Sequence, residues 1–163
     1  MRPGEGSVRL SVLDRLIDTE PRQAADPPQT WHQSVRAMKE AVMRDVEWLL
    51  NTRRIIDPAP DGYSELQRSV YNFGLPDISS LNSDASATRQ LLLRQVEEAI
   101  RTFEPRFIDV RVSEGEANVD GSRRIRFVVE ALLRMDPNPE HVLFDTVLET
   151  VSGRFSVQGE AHA

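Results

Sequence analysis

The 163-residue sequence contains no cysteine, only one lysine and few aromatic residues. The absence of cysteine excludes disulfides, thiolate nucleophiles and cysteine-ligated metal sites, and it fits a reducing compartment. No uninterrupted apolar run is longer than three residues, so no segment is expected to insert into a membrane. The N-terminal residues lack the apolar core of a signal peptide, so we expect a cytoplasmic protein.

Signatures of catalysis and of cofactor binding are also missing from the sequence. The eight glycines are scattered and form neither a Walker A nor a dinucleotide-binding motif. The three histidines, His32, His141 and His162, lack the spacing of metal ligands. We therefore expect no cofactor and no metal site.

Acidic residues outnumber basic residues by 26 to 20, which gives a net charge of −6. This balance disfavours binding to nucleic acid or to anionic lipid through overall charge. Every basic residue except Lys39 is arginine. Arginine suits paired, partly buried interfaces better than lysine does, although biased codon usage explains the same preference.

The first 29 residues predict a flexible segment that carries a short amphipathic element. Leu10, Leu13 and Ile17 fall on one face of a helix, and the prolines between residues 18 and 29 predict a linker. This apolar face is a candidate N-terminal anchor. It can dock on its own domain or on a partner, and both alternatives stay open.

The rest of the sequence predicts a single domain over 30–158, followed by a tail over 159–163. Thr30 and Gln33 form the T-x-x-Q pattern of a capping box. Apolar residues then recur at helical spacing to about residue 51, which predicts a long helix.

A second long helix is predicted over 86–103, where the helical spacing of apolar residues continues almost to Pro105. Glu97 and Arg101 are predicted to lie on the solvent face of this helix. A shorter helix is predicted between residues 64 and 73.

Beyond Pro105 the apolar period changes from 3.6 to 2, which predicts strands around 107–112, 124–134 and 142–157. Gly153 is interpreted as a bulge in the last strand. The sequence thus predicts an α+β fold, with two long helices and the short N-terminal element packed on a three-stranded antiparallel meander. The last strand is expected at an edge, where its free backbone is either covered by a loop or paired with a partner.

A glutamate and an arginine flank the proline at the predicted corner between the second helix and the first strand. A glycosidase needs one protonated carboxylic acid and a second carboxylate, for which Glu104 and Asp109 are the candidates. However, the nearby Arg106 favours the ionised form of Glu104, whereas a general acid must be protonated. We interpret Glu104, Pro105 and Arg106 as a fixed, non-catalytic element.

Three strings of residues occur in the order that is typical of a known family. They are Leu49-Leu50-Asn51-Thr52-Arg53-Arg54, Ser69-Val70-Tyr71-Asn72-Phe73-Gly74-Leu75-Pro76-Asp77 and Phe103-Glu104-Pro105-Arg106. With the meander that follows, the chain resembles TssE, the small baseplate wedge protein of type VI secretion systems, over roughly residues 9–157. That family usually has tyrosine at the position of Phe73 and often has leucine at the position of Phe107, and both changes keep an apolar group.

The resemblance implies a structural component of a cytoplasmic baseplate that docks at the inner membrane. It implies TssF, TssG and TssK as baseplate partners, and a sheet that offers the sheath proteins TssB and TssC a template. The structural or interaction residues that it implies are Glu104, Pro105, Arg106, Arg53, Arg54, Asn72, Gly74, Pro76 and Asp77.

Two alternative functions are weighed against this one. The first is a peptidoglycan hydrolase, because members of the family were once described as lysozyme-like; such an enzyme requires export, and no signal peptide is present. The second is an unrelated α+β binding adaptor. Only the three strings in their order distinguish a wedge protein from such an adaptor.

Overall fold

The computed structural model describes residues 8, 10–17, 21–22, 29–57, 59–77, 86–115, 124–136 and 138–159. The chain divides into two compact units, Met1–Val42 and Met43–Ala163. This division does not test the predicted flexible segment, the single domain over 30–158 or the tail, which stay predictions.

Two helices begin in the first unit, and a side chain caps each of them. Helix α1 (Val12–Leu16) follows Ser11, its N-cap residue. Helix α2 (Trp31–Asn51) begins after Thr30, whose amide donates to Gln33 Oε1 at 2.8 Å, while the Gln33 amide donates to Thr30 Oγ1 at 3.4 Å. The predicted capping box and the predicted long helix are therefore confirmed.

Three further helical elements lie in the described part of the second unit, which also contains the end of α2. They are α3 (Ser64–Gln67), a 3-10 helix (Val70–Asn72) and α4 (Ser86–Phe103). The bounds of α4 match the prediction. The predicted short helix is instead divided in two, because Ser69 Oγ accepts the Tyr71 amide and starts the 3-10 turn. None of the described helices is both long and apolar enough to cross a bilayer.

The prediction of three strands is wrong, because the sheet has four. Strands β1 (Phe107–Glu114), β2 (Arg124–Leu133), β3 (Glu140–Glu149) and β4 (Arg154–Gly159) are antiparallel and lie in the order β1-β2-β3-β4. Each strand pairs with its neighbour in the chain, so the sheet is a meander.

The fourth strand was not predicted because Gly153, which the sequence analysis interprets as a bulge, lies in a turn. Gly153 has a φ of +67°, and its amide donates to the Glu149 carbonyl at 2.8 Å, so the chain reverses. Beyond the turn, Phe155 and Val157 are buried. A bulge and a tight turn both leave the alternation of apolar residues intact on either side, which is why the period alone does not separate them.

The extra strand changes which backbone lies at the edge of the sheet. Because β3 pairs with both β2 and β4, it is an internal strand. The outer strands are β1 and β4. The prediction that the backbone of residues 142–149 is available at an edge is therefore also wrong.

One face of the sheet is buried and the other is largely exposed. The buried side chains of the three later strands are Phe127, Val129, Ala131, Leu133, Val142, Phe144, Thr146, Leu148, Phe155 and Val157. In this unit, α2 and α4 supply further buried side chains, namely Val46, Leu49, Leu50, Leu92, Val96, Ala99 and Ile100. The predicted inward face of β3 is confirmed, and the buried face sets the register of the strands.

Candidate interaction site

The corner between α4 and β1 is held by charge-assisted hydrogen bonds. The Glu104 amide donates to the Ile100 carbonyl at 2.9 Å and closes the last turn of α4, while the Glu104 residue is only 5% exposed. Arg106 donates to Glu104 Oε1 from Nε at 2.6 Å and from its own amide at 3.1 Å, and its Nη2 donates to Oε2. Both carboxylate oxygens are thus engaged by one arginine, in the fork geometry that gives strong pairs.

The same arginine connects the corner to the end of α2. Arg106 Nη2 also donates to Asp45 Oδ2 at 2.6 Å. On its other side Asp45 accepts from Arg44 Nε at 3.0 Å and from Arg44 Nη2 at 2.7 Å. The Arg44 guanidinium lies 5.2 Å from the centre of the Trp48 ring, a cation–π distance. A continuous polar network therefore joins α2 to the α4–β1 corner.

Arg106 is a fixed cation within this network. Burial by itself lowers the pKa of Arg106, but hydrogen bonds and charge attraction from Glu104 and then from Asp45 outweigh it and raise the pKa above its ordinary value. A raised arginine pKa means that its stabilising contribution is complete below the ordinary arginine value and is lost only above it, so it is constant through the physiological range.

The carboxylates near the corner have structural partners. Asp109 lies on β1, where its Oδ1 accepts the Val110 amide at 2.9 Å, and the oxygens of Glu104 are engaged by Arg106. Within the described residues, no three His, Asp or Glu side chains are grouped so that they could hold a metal ion.

A second group of the predicted motif residues surrounds a short backbone bridge after α2. The Arg54 amide donates to the Leu75 carbonyl at 2.8 Å, and the Leu75 amide donates to the Thr52 carbonyl at 2.9 Å. Gly74 has a φ of +105°, and a Cβ placed there would lie 2.3 Å from the Thr52 carbonyl oxygen. Only glycine fits this approach.

The structure therefore distributes the nine motif residues over two places. Glu104, Pro105 and Arg106 form the corner, and the other six belong to the group at the bridge. Two of these six, Arg53 and Asp77, form an exposed ion pair in which Nη1 and Oδ1 are 3.8 Å apart. The remaining four, Arg54, Asn72, Gly74 and Pro76, line a cleft beside α4. The ring centres of Phe73 and Phe103 are 5.2 Å apart and connect the two places.

The outer edge of β1 is covered by an ion pair from α4. Arg101 Nη2 donates to the Val110 carbonyl at 3.0 Å, and Glu97 Oε2 accepts the Val112 amide at 3.0 Å. The two side chains also bind each other at 2.7 Å. Arg101 is exposed, as predicted, whereas Glu97 is half-buried. Both side chains also bind the backbone of β1, so this edge is closed to a further strand.

The outer edge of β4 is covered at one residue only. The Asn51 side chain donates from Nδ2 to the Phe155 carbonyl at 2.9 Å and accepts the Phe155 amide at 3.0 Å. Because backbone direction alternates along a strand, the amides of Val157 and Gly159 also point away from β3. Within the described residues no hydrogen bond engages the Val157 amide on this side. Val157 is only 6% exposed and Gly159 is exposed, so the edge of β4 is accessible at Gly159.

Replacing Asn51 with alanine is expected to loosen the start of β4. Two hydrogen bonds to Phe155 are lost, so the free energy of unfolding should fall by about 1–2 kcal/mol. Hydrogen exchange of the Phe155 amide should become faster. The Asn51→Asp variant keeps the acceptor and should keep this amide protected; equally fast exchange in both variants would contradict the assignment.

The candidate N-terminal anchor lies in the first unit. Leu10 is half-buried, whereas Leu13 and Ile17 are exposed. Two further apolar residues of α1, Val12 and Leu16, are 71% and 76% exposed. The structure does not test the anchor, which stays a prediction.

The sequence analysis does not predict the contacts that Asp45, Asn51 and Glu97 make with the corner and with the two sheet edges. Each looks ordinary there, because Asp45 and Glu97 fit the polar faces of amphipathic helices and Asn51 fits a helix end. Their partners lie 61, 104 and 15 residues away in the chain. No local signal distinguishes such residues from solvated ones.

Comparison with known protein families decides what kind of protein carries this geometry. The model of the family described as baseplate wedge protein gp25 matches residues 36–138, which run from α2 to beyond β2 and include both groups of motif residues. The chain belongs to the gp25 family of baseplate wedge proteins.

The gp25 family includes TssE, so the predicted family is confirmed. Membership makes this chain a structural component of a contractile-tail baseplate, with other baseplate proteins as partners. No curated protein and no solved structure gives a significant match.

Proposed function

We propose that this gp25-family chain is the TssE-type wedge subunit of a type VI secretion baseplate and that it joins the baseplate to the first ring of the contractile sheath. The observation that carries the proposal is the exposed end of the β4 edge at Gly159. An edge strand with free amides and carbonyls accepts an additional strand, whose ladder hydrogen bonds provide affinity with little demand on sequence.

The type VI assignment is supported by the three ordered strings of the sequence, which resemble TssE in particular. It proposes TssF, TssG and TssK as the baseplate partners and TssB and TssC as the sheath partners. It also proposes a cytoplasmic location, in a baseplate docked at the inner membrane, with no nucleic acid bound.

The two edges of the sheet differ in a way that favours β4 as the joining edge. On β1 the outward groups of Val110 and Val112 are bonded to Arg101 and Glu97 of α4. On β4 the side chain of Asn51 is bonded only at Phe155. An incoming strand would have to displace an ion pair at β1, whereas at β4 it would meet the exposed Gly159.

The proposed role is non-catalytic. Glu104, the one carboxylate that the sequence places in an apolar setting, accepts three hydrogen bonds from Arg106. Both of its carboxylate oxygens are held by this arginine, so neither is free to face a glycosidic oxygen. This argues against the peptidoglycan hydrolase alternative.

Replacing Gly159 with proline is expected to block sheath assembly while the protein stays folded. Proline removes the outward amide of the edge strand without removing a bond to β3. In cells with a fluorescent sheath subunit, the number of sheaths should fall by about tenfold or more. The melting temperature of the purified variant should stay close to that of the wild type.

Gly159→Ala is the matched control, because it keeps the amide. A Cβ at this position would lie 3.6 Å from Met43 Sδ, which is an ordinary contact. The alanine variant should assemble sheaths at the normal frequency. Normal assembly in the proline variant would show that the β4 edge does not join the sheath.

A further inference from the structure

A cleft of about 500 Å³ lies between the chain segment that follows α2 and the C-terminal half of α4. Arg54 and Arg68 contribute from the segment, and Gln95, Glu98 and Arg101 contribute from the helix. We call this the arginine cleft. It is separate from the β4 edge, so the inference drawn from it does not depend on the proposed sheath contact.

The charge of the arginine cleft is opposite to that of the whole chain. Three arginines line it against one carboxylate, that of Glu98, whereas the chain carries a net charge of −6. Arg101 is already bonded to Glu97 and to the backbone of β1. Among the described residues, no hydrogen bond or ion pair engages the guanidinium of Arg54 or of Arg68. Two cations are therefore available to an anionic partner.

The cleft also contains a buried acceptor without a donor. Gln95 Oε1 is inaccessible to solvent and has no hydrogen-bond partner among the described residues. Because this oxygen is inaccessible, it is not a contact for an occupant, and the accessible polar groups of the cleft include those of the arginines.

Apolar groups complete the cleft. Leu75 and Phe103 line it together with the polar residues. Leu75 is buried, whereas Phe103 is half-buried. Phe103 therefore offers an apolar contact to an occupant.

We propose that the arginine cleft binds an acidic peptide segment of a partner protein that also carries an apolar residue. Carboxylates of the segment pair with Arg54 and Arg68. The apolar side chain packs against Phe103, which lines the cleft and is half-buried. Planar guanidinium groups favour carboxylates, and the apolar contact distinguishes a peptide from a free anion.

The test uses a random twelve-residue peptide display library and the full chain. Peptides are selected on the wild type and depleted on the Arg54→Gln/Arg68→Gln variant, after circular dichroism has confirmed that the variant is folded. The selected peptides are expected to contain aspartate or glutamate together with an apolar residue. A synthetic peptide from the selection should bind the double variant at least about tenfold more weakly than the wild type.

Two matched controls accompany the measurement. Arg94→Gln removes an exposed arginine of α4 that does not line the cleft, and it should leave the dissociation constant unchanged. The same peptide with each acidic residue changed to its amide should lose its affinity. A perturbed amide resonance of Gln95 on peptide addition would place the peptide in the cleft.

Several results would overturn the proposal. They are failure to select any peptide, selection of peptides without acidic residues, equal binding to the wild type and the double variant, and equal weakening by Arg94→Gln. Binding of a single-stranded oligonucleotide that requires Arg54 and Arg68 would also overturn it, because nucleic acid would then be the occupant.

Discussion

Replacing Arg106 with alanine is expected to lower the free energy of unfolding by roughly 3–5 kcal/mol, the range for breaking a buried ion pair. The reason lies in what is left behind. The Glu104 side chain is 6% exposed, and within the described residues Arg106 donates every hydrogen bond that this side chain accepts, so the variant leaves a buried carboxylate without its cation. For a chain of this size the melting temperature should fall by roughly 6–20 °C.

The matched control for this variant is Arg111→Ala. Arg111 also sits two residues from a carboxylate, with its Nε 3.9 Å from Asp109 Oδ2, but both side chains are largely exposed. Its loss should cost no more than about 0.5 kcal/mol. Similar melting temperatures for the two variants would show that the Glu104–Arg106 corner does not stabilise the fold.

The opposite substitution, Glu104→Ala, should cost less than Arg106→Ala. It leaves the cation of Arg106, which keeps its bond of 2.6 Å to Asp45. Loss of Arg106 instead removes the partner of two carboxylates. The order of the two variants therefore tests whether the arginine is the centre of the network, and it should hold from about pH 6 to about pH 9, because the raised pKa keeps Arg106 charged.

Replacing Gly74 with alanine is expected to cost about 3 kcal/mol or more, because two effects add. The residue has a φ of +105°, which side chains rarely adopt. The new Cβ would also lie 2.3 Å from the Thr52 oxygen and 2.8 Å from the Thr52 carbon. That carbonyl accepts the Leu75 amide, so it cannot move away without breaking the bridge.

Gly62→Ala separates the two effects. Gly62 has a φ of +93°, but a Cβ there meets nothing within 4 Å. Its replacement should cost only the backbone strain, about 1 kcal/mol. Chemical denaturation of both variants measures the difference. Equal losses in the free energy of unfolding would show that the close approach of the new Cβ to Thr52 does not destabilise the fold.

The Gly74 variant should also affect the arginine cleft. The bridge from Thr52 to Leu75 brings Arg54 and Pro76 to the cleft, and both line it. If the bridge opens, Arg54 loses its position. In the folded fraction of the Gly74→Ala variant, peptide affinity should therefore be lower, and the Arg54 amide should exchange faster than in the wild type.

Much of the fold follows from patterns that are local in the chain. The T-x-x-Q box and the helical spacing after it place the start of α2, and Pro105 marks the end of α4, because capping bonds and proline geometry act within a few residues. The inward face of β3 follows from an alternation with a period of two. The corner of Glu104 and Arg106 is local as well, since its partners are two residues apart.

Contacts between distant residues were decided by the tertiary structure alone. Whether Gly153 is a bulge or a turn depends on whether Phe155 and Val157 can be buried against the same face as Leu148, which no local pattern reveals. The cation of Arg106 meets Asp45, and Asn51 meets Phe155, only after α2, α4 and the sheet have packed. Whether a strand edge is open or covered is also decided by the tertiary structure. The side chains that bind an edge occupy positions whose sequence pattern is the same as that of solvent-exposed residues.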